Sequence, residues 1–533
     1  MSNLKIIPVI DLFAGPGGLG EGFSSFAYNR RKIFNIKISI EKEKYAHETL
    51  ELRSFYTKFK HGEAPKEYYD VLTSVNQKER EKIKISLFEK YSSEYNLVKN
   101  EALCLELGLN KKTTKLIDNK IKKSIKGTNN WVLIGGPPCQ AYSLVGRSRV
   151  GGIKKDDNRV FLYKEYLRII ARHQPSIFVM ENVKGLLSAK FDDESVFNLV
   201  KRDLSNPKRV YTKSKSKRYK LYSLVCTPSD FTDDGFPVYN KNSDFTINSE
   251  DYGIPQKRHR VILLGIREDI KSIPSILTPS ENKIKLKTVL RDLPKIRSGL
   301  HRSFIISDII EGKKKRYYEK VIDSDENWLE ITSSFRKEIA SWNGFVNRGS
   351  NNTFLVPKNG IGSEFVKCNT PYKNNPHFDW YNDPKLNGVC NHVSRSHLIQ
   401  DLKRYLFASI FANSNNRFPR LNDYEKYSND LLPDHKSAKT GKFADRFRVQ
   451  LPNEPATTVT SHISKDGHYY IHYDPKQCRS LTVREAARIQ TFPDNYLFCG
   501  PRTAQYHQVG NAVPPYLAKQ IAEVVRRIIS EIN

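Results

Sequence analysis

Short apolar runs, each stopping at a residue with chemistry of its own, constrain the fold of this chain more than any other feature. Ile6-Ile7-Pro8-Val9-Ile10 stops at Asp11 and a glycine cluster, and Ile36 to Ile40 stops at Glu41. Trp131-Val132-Leu133-Ile134 stops at Gly135-Gly136-Pro137-Pro138-Cys139, and Ile177-Phe178-Val179-Met180 at Glu181-Asn182. Runs this short, mostly without strict polar alternation, predict parallel strands covered on both faces. Tyr45 to Arg53 and Phe161 to Ala171 have the composition of intervening helices, and Leu221 to Val225 and Val261 to Gly265 read as later strands of the same sheet. The expected class is α/β with a doubly wound sheet. Such sheets put ligands beyond the carboxyl ends of their strands, where these polar residues fall. The Lys- and Glu-rich stretch from Glu63 to Gly127 fits no strand position and reads as an insertion with its own helices.

After Ser272 to Ser280, a Pro- and Ser-bearing stretch, the strand–helix rhythm is lost until about Tyr473, as in a second, irregular domain. Order then returns. Thr482-Val483-Arg484-Glu485 is a capping box, and Pro514-Pro515 open a helix whose apolar stripe is Leu517, Ile521, Val524, Val525 and Ile528. The expected division is 1–275, 276–473 and 474–533.

Lys+Arg 88 against Asp+Glu 58 leaves a formal charge of +30, which favours a polyanionic partner, nucleic acid before a membrane surface. A hydrophobic fraction of 38% excludes wholesale disorder. No apolar stretch approaches the roughly 18 residues of a membrane span, and the N-terminal run is too short for a secretory signal. The cysteines number 7 and are scattered, so they form no disulfide framework. A soluble protein of a reducing compartment is expected. Lys208 to Lys220 is basic without an acid, and reads as a solvated loop or a phosphate contact.

Gly15-Pro16-Gly17-Gly18-Leu19-Gly20 lies between a strand and a helix, where glycines allow a tight turn and a ligand's approach to the helix N-terminus. Glu41 at the next strand end could accept both hydroxyls of a ribose. A nicotinamide cofactor and S-adenosylmethionine satisfy this pattern equally. Cys139 follows two prolines that stiffen its backbone. A lone cysteine is usually an inert buried residue, but a loop position beside a cofactor turn suits a nucleophile. Glu181 leaves a hydrophobic strand, where burial would let a carboxyl hold a proton near neutrality; a helix-capping acid is the other reading. Gln256, Arg258 and Arg260 alternate along a strand start, so they share one face, with Lys257 and His259 on the other. Cys390, His392, His397 and Cys368 match no standard zinc spacing, and no metal is expected.

Taken in order, six segments resemble the motifs of the DNA (cytosine-5)-methyltransferase family: Asp11 to Gly18, Gly136 to Gln140, Glu181 to Val183, Gln256 to Arg260, Arg479 to Asp494 and Gln508 to Pro515. They span nearly the whole chain. Asn391 to Arg395 and Thr457 to Thr460 also look like family segments, whereas no Gly-Asp-Ile-like segment stands between Glu41 and Cys139. The resemblance implies a Rossmann-like, S-adenosylmethionine-dependent methyltransferase domain, a smaller irregular target-recognition domain, and a last helix that returns to the catalytic domain.

By that resemblance, Cys139 is the nucleophile at cytosine C6, Glu181, protonated, hydrogen-bonds N3, and an arginine, Arg260 or Arg258, holds O2. Phe13, Ala14, Gly15, Gly17, Glu41, Pro137, Asn511 and Val513 would line the cofactor, and Gln256, Thr458 and Val459 would contact DNA. The implied partner is double-stranded DNA carrying a flipped-out cytosine, acted on by a monomer in the bacterial cytoplasm. A cognate restriction endonuclease would be a functional partner rather than a bound one. An RNA cytosine-5 methyltransferase of the same fold, a catalytically silent DNA-binding relative and a nicotinamide dehydrogenase are the alternatives. The dehydrogenase leaves Pro137-Pro138-Cys139-Gln140 without a role.

Overall fold

The computed structural model describes residues 6–29, 31–60, 62–138, 162–191, 193–311, 313–342, 354–368, 374–432 and 446–532. The apolar runs form the centre of one sheet: β1 (Ile7–Leu12), β2 (Phe34–Glu41), β3 (Ala102–Cys104), β4 (Val132–Gly135), β5 (Ile177–Val183), β6 (Tyr219–Tyr222), β7 (Thr246–Asn248) and β8 (His259–Arg267). Their order across the sheet is β6-β8-β5-β4-β1-β2-β3, with β7 also paired to β8. β1 to β5 are mutually parallel, as the runs predicted. β8 runs against β5, β6 and β7, so among the described strands of this sheet it is the reversed one.

Consecutive strand residues feed opposite faces because the side-chain period is two. Val9, Ile134 and Val179 pack with Phe23 of α1 (Gly18–Ser25) and with Leu517, Ile521, Val525 and Ile528 of the last helix. Ile10, Leu133 and Met180 pack on the other face with Tyr166, Leu167 and Ile170. Each of these aliphatic side chains contributes about 1.5–3 kcal/mol on full burial, which fixes both helical layers against the sheet.

Other helices are α2 (Lys44–Tyr56), α3 (Leu162–His173), α4 (Asp325–Ser341), α5 (Ile399–Asn415), α6 (Val483–Ile489), α7 (Arg502–Asn511) and α8 (Pro515–Ile532); α4 and α5 share one further core and α6 and α7 another. The capping box before α6 is formed: Thr482 accepts from the Glu485 N–H and Glu485 accepts from the Thr482 N–H.

Two readings require correction. The 63–127 stretch carries helices, but Ala102–Cys104 within it pairs with β2 and forms the sheet edge. Three residues are too few for a period to register in the sequence. The region after Ser280 is not wholly irregular, since α4 and α5 are 17 residues each. In α5 the run Tyr405 to Ala412 is buried continuously. Polar residues gather at both ends of α5, Gln400 to Arg404 and Asn413 to Asn415, and apolar ones in its middle, so no stripe runs along the helix. Among the described residues, no helix is long and apolar enough to cross a membrane.

Candidate active site

The sheet order reverses between β1 and β4, and the ligand crevice of such a sheet opens there, beyond the carboxyl ends. The chain leaves β1 through Phe13, which adopts a left-handed backbone (φ 56°), and Ala14, whose N–H donates to Ile40 O at 3.0 Å. Gly17 continues with φ 100°, and a side chain there would strike Leu50 and the Tyr496 hydroxyl. A Cβ on Gly18 would lie 2.3 Å from Val513 O. The glycines thus let the C-terminal segment close onto the loop, and the Tyr496 hydroxyl donates to Pro16 O on the same side. Of the two predicted residues in that segment, Val513 is buried against the loop and Asn511 is exposed at the end of α7.

Glu41 sits across the loop. Its carboxylate accepts from Gly15 N–H at 2.8 Å, Lys42 N–H at 2.8 Å and Glu43 N–H at 2.7 Å. Those bonds orient it as a fixed acceptor at the N-terminus of α2 and occupy about three of its four lone-pair directions. Asp11 lies beneath, fully buried, and among the described residues neither carboxylate oxygen has a hydrogen-bond partner. Burial first, then the charge of Glu41, push the Asp11 carboxyl well above the usual carboxylate range. The fixed Glu41 acceptor, a half-buried Phe13 and a backbone with no room for side chains suit a ribose-bearing group.

The second half of the crevice lies at β4 and β5. Gly135 pairs with Met180, which brings the chain after β4 alongside the end of β5. A Cβ on Gly136 would meet Glu181 Oε2 at 2.9 Å, so a side chain there would displace the Glu181 carboxylate. Pro137 is buried, while Cys139 lies outside the described residues, as does Gln140. Glu181 is largely buried and ion-paired to Arg260, Nε to Oε1, at 2.9 Å. Register explains the contact: Ile262 of β8 opposes Glu181, and Arg260 two residues earlier occupies the same face. Arg260 Nη1 also donates to its neighbour's carbonyl, His259 O.

The alternation of Gln256, Arg258 and Arg260 holds, but the shared face splits in function. Arg258 is 1% exposed and donates to Val459 O at 2.7 Å and Gly510 O at 3.2 Å. Burial, then the neighbouring Arg260 charge, push its cation well below the usual arginine range, against a partial opposing effect of Glu181. Arg258 therefore ties two chain segments together through their carbonyls. Gln256 is fully buried, donating to Ile489 O and Gln490 Oε1 and accepting from Val459 N–H. Val459 is buried in the core around α6 and α7. Both side chains lie away from solvent; alternation reveals a common face but not whether that face meets solvent. Thr458 is half-buried and its hydroxyl donates to Lys257 O at 2.6 Å.

Among the described residues, no group of three or more His, Cys, Asp or Glu side chains is arranged to hold a metal. His392 lies between Thr482 Oγ1 and Pro294 O, and burial pushes it down to about 4. Sequence reasoning missed the Tyr496 contact, the role of Gly510 O and the orphaned Asp11 carboxylate. Only Asp11 carried a signal, as the acid closing the first apolar run.

The family profile of C-5 cytosine-specific DNA methylases matches residues 91–211 and 228–527. A Bacillus paralicheniformis protein, type II methyltransferase M.Bpa9945I, is 32% identical, with 98% of this chain and 99% of that one covered. Type II methyltransferase M.DdeI of Desulfomicrobium norvegicum is 25% identical over 98% of this chain and 90% of its own. DNA (cytosine-5-)-methyltransferase M.ApeKI of Aeropyrum pernix is 25% identical over 76% and 83%. Among solved structures, a DNA modification methyltransferase encoded within an Escherichia coli prophage superposes with a TM-score of 0.51 at 18% identity, covering 98% of this chain and 99% of its own.

Proposed function

Since this chain belongs to the C-5 cytosine-specific DNA methylase family, we propose that it methylates cytosine in a defined duplex sequence through a transient bond from Cys139 to C6 of a flipped-out base. The observation that carries the reading is the convergence of Gly136, Glu181 and Arg260 at the strand ends beside the Asp11–Gly18 loop. Cytosine C5 is a poor nucleophile, so electrons must be pushed onto it. Addition of the Cys139 thiolate at C6 does so, provided the charge reaching N3 and O2 is met. In this reading Glu181, protonated, would hydrogen-bond N3, and Arg260 would donate to O2. Electrostatic stabilisation of this kind, from donors already in place, is usually the largest single catalytic effect.

Glu41, with Gly15 and Gly17 shaping the turn, would hold the ribose of S-adenosylmethionine, and Phe13 would lie against its sulfonium, which an aromatic face attracts. Bound there, the cofactor supplies an electrophilic methyl group to C5. Loss of the C5 proton and departure of Cys139 then restore the aromatic ring. Because C5 and C6 are stacked inside a duplex, the base must be extruded at a cost of a few kcal/mol. In a type II setting, the methylated sequence would be shielded from a cognate endonuclease.

Expression in a host without cytosine methylation, followed by base-resolution mapping of 5-methylcytosine in DNA and RNA, tests the reading. The expected result is methylation at one short DNA sequence, absent with Cys139→Ala. Methylation confined to RNA, or retained in the variant, would refute it.

A further inference from the structure

Two basic stretches have no part in the crevice, Lys111 to Lys126 within the insertion and Lys208 to Lys220. Tertiary structure sets them on either side of α3. The helix Lys111–Ser124 joins β3 to β4, and its Ile117 and Ile121 enter the core with Tyr166, Leu167 and Ile170 of α3. Asp118 fixes the contact, accepting from Arg168 Nη1 at 2.9 Å and lying 2.9 Å from His173 Nε2. Toward the opposite edge of the sheet, residues 207–217 lead into β6. The Tyr211 hydroxyl donates to Lys164 O at 2.9 Å, in the first turn of α3. The Lys217 N–H donates to Gln174 Oε1 at 3.4 Å, just past the last turn. This segment therefore follows α3 along its length.

Lys111, Lys112, Lys115, Lys122 and Lys123 are exposed on one track, and Lys208, Arg209, Lys213 and Lys215 on the other. Asp118 and Glu165 are the acids of the three elements. Arg168 binds both, at 2.9 and 3.0 Å, so neither offsets the surface charge. Lys111 and Lys115 stand at i,i+4, a repulsive spacing for like charges, and with Arg172 they line a groove between the helices. A polyanion covering the face relieves that repulsion. Single strands are held by aromatic stacking as well as by cations, and among the described residues these elements expose no aromatic ring. A duplex, with its continuous phosphate rows, asks for cations alone. Because α3 joins the parallel strands β4 and β5, and the lysine helix also leads into β4, both helices start on the crevice side. Lys111 and Lys112 thus lie nearest the crevice, and the tracks run back from it.

We propose that these two tracks form a second surface for duplex DNA, which holds the stretch flanking the one engaged at the crevice. The inference rests on the reading that the chain acts on duplex DNA. Two full-length variants test it, one carrying Lys111→Gln, Lys112→Gln and Lys115→Gln, the other Lys213→Gln and Lys215→Gln. Fluorescence anisotropy would compare duplexes of about 12 and about 40 base pairs, roughly one and four helical turns. Both lengths would be made with the methylated sequence at their centre and again with mixed sequence. The expected result is affinity for the longer duplex lowered about tenfold, with the slope of log affinity against log salt shallower by about one for each lysine removed. Affinity for the shorter duplex, and its single-turnover methylation rate, stay at wild-type values.

Wild-type affinity and salt slope on the longer duplex in both variants would overturn the proposal. So would an equal loss on both lengths, which would place these lysines at the crevice. A loss confined to single-stranded RNA of the longer length would also overturn it, giving the face to RNA. Absence of 5-methylcytosine from the wild-type protein would instead fault the underlying reading, and the mixed-sequence duplexes would still test the face.

Discussion

Arg258 and Arg260 look alike in the sequence but should fail in different ways when replaced. The Arg258 guanidinium bridges Val459 O and Gly510 O at 2.7 and 3.2 Å, and among the described residues no carboxylate is in ion-pair range of it. Hydrogen bonds from a charged donor are worth about 1.5–3 kcal/mol each, and a carbonyl left orphaned in the interior costs about 1–3 kcal/mol. Arg258→Met keeps the aliphatic volume and removes both bonds. It also removes the cost of burying a cation, which offsets part of the loss. A net destabilisation of about 2–3 kcal/mol is expected, read as a lower urea midpoint with unchanged m-value. Gly510 leads into the segment whose Val513 carbonyl abuts Gly18, so loosening it should weaken cofactor binding. The single-turnover rate at saturating cofactor should change little. Arg260→Met should instead strike the chemistry: it leaves the largely buried Glu181 without its ion-pair partner, at a cost of about 1–3 kcal/mol, and slows single turnover about 100-fold or more, the loss typical of a removed charge-stabilising donor. If Arg258→Met unfolds like wild type yet is slowed as severely as Arg260→Met, Arg258 reaches the substrate and the division of roles is wrong.

Glu181→Gln should slow methyl transfer while leaving S-adenosylhomocysteine affinity within about twofold; calorimetry showing a selective cofactor defect would move Glu181 into the other half of the site. Gly18→Ala forces a methyl against Val513 O. Overpacking of this kind costs about 1–3 kcal/mol, so cofactor affinity should fall with thermal stability, and a wild-type dissociation constant would show that the contact relaxes freely. His392 binds a proton near 6.5 when unfolded but near 4 when folded. Between those values the unfolded chain holds more protons, so stability is full above pH 6.5 and declines toward pH 4. The His392 share of that decline is about 2 kcal/mol at pH 5. His392→Gln should show a correspondingly shallower loss of urea midpoint from pH 7 to pH 5, and parallel slopes in the two proteins would exclude the assignment.

Several features were legible because they are local. The parallel core strands announced themselves as apolar runs, and doubly covered strands need no surface pattern. Thr482 and Glu485 announced a helix start because capping depends on four consecutive residues. Leu517, Ile521 and Val525 marked one face of α8, which packs on the sheet. The short strand Ala102–Cys104 was not legible, because its place depends on backbone pairing with Glu41 and its neighbours rather than on its own composition. The helix α5 was missed for another reason, since its apolar residues are gathered in its middle rather than along one face.

What the chain determines by itself is the set of chemical groups and their order along it: a thiol behind two prolines, acids at strand ends, glycines where backbone must approach backbone. Those depend on residue type and short-range geometry. Which arginine meets Glu181 and which is bound to the carbonyls of Val459 and Gly510 was decided only in three dimensions. Strand register and the return of segments some 200 and 250 residues distant set those partners, and no local pattern encodes how far a side chain ends from water.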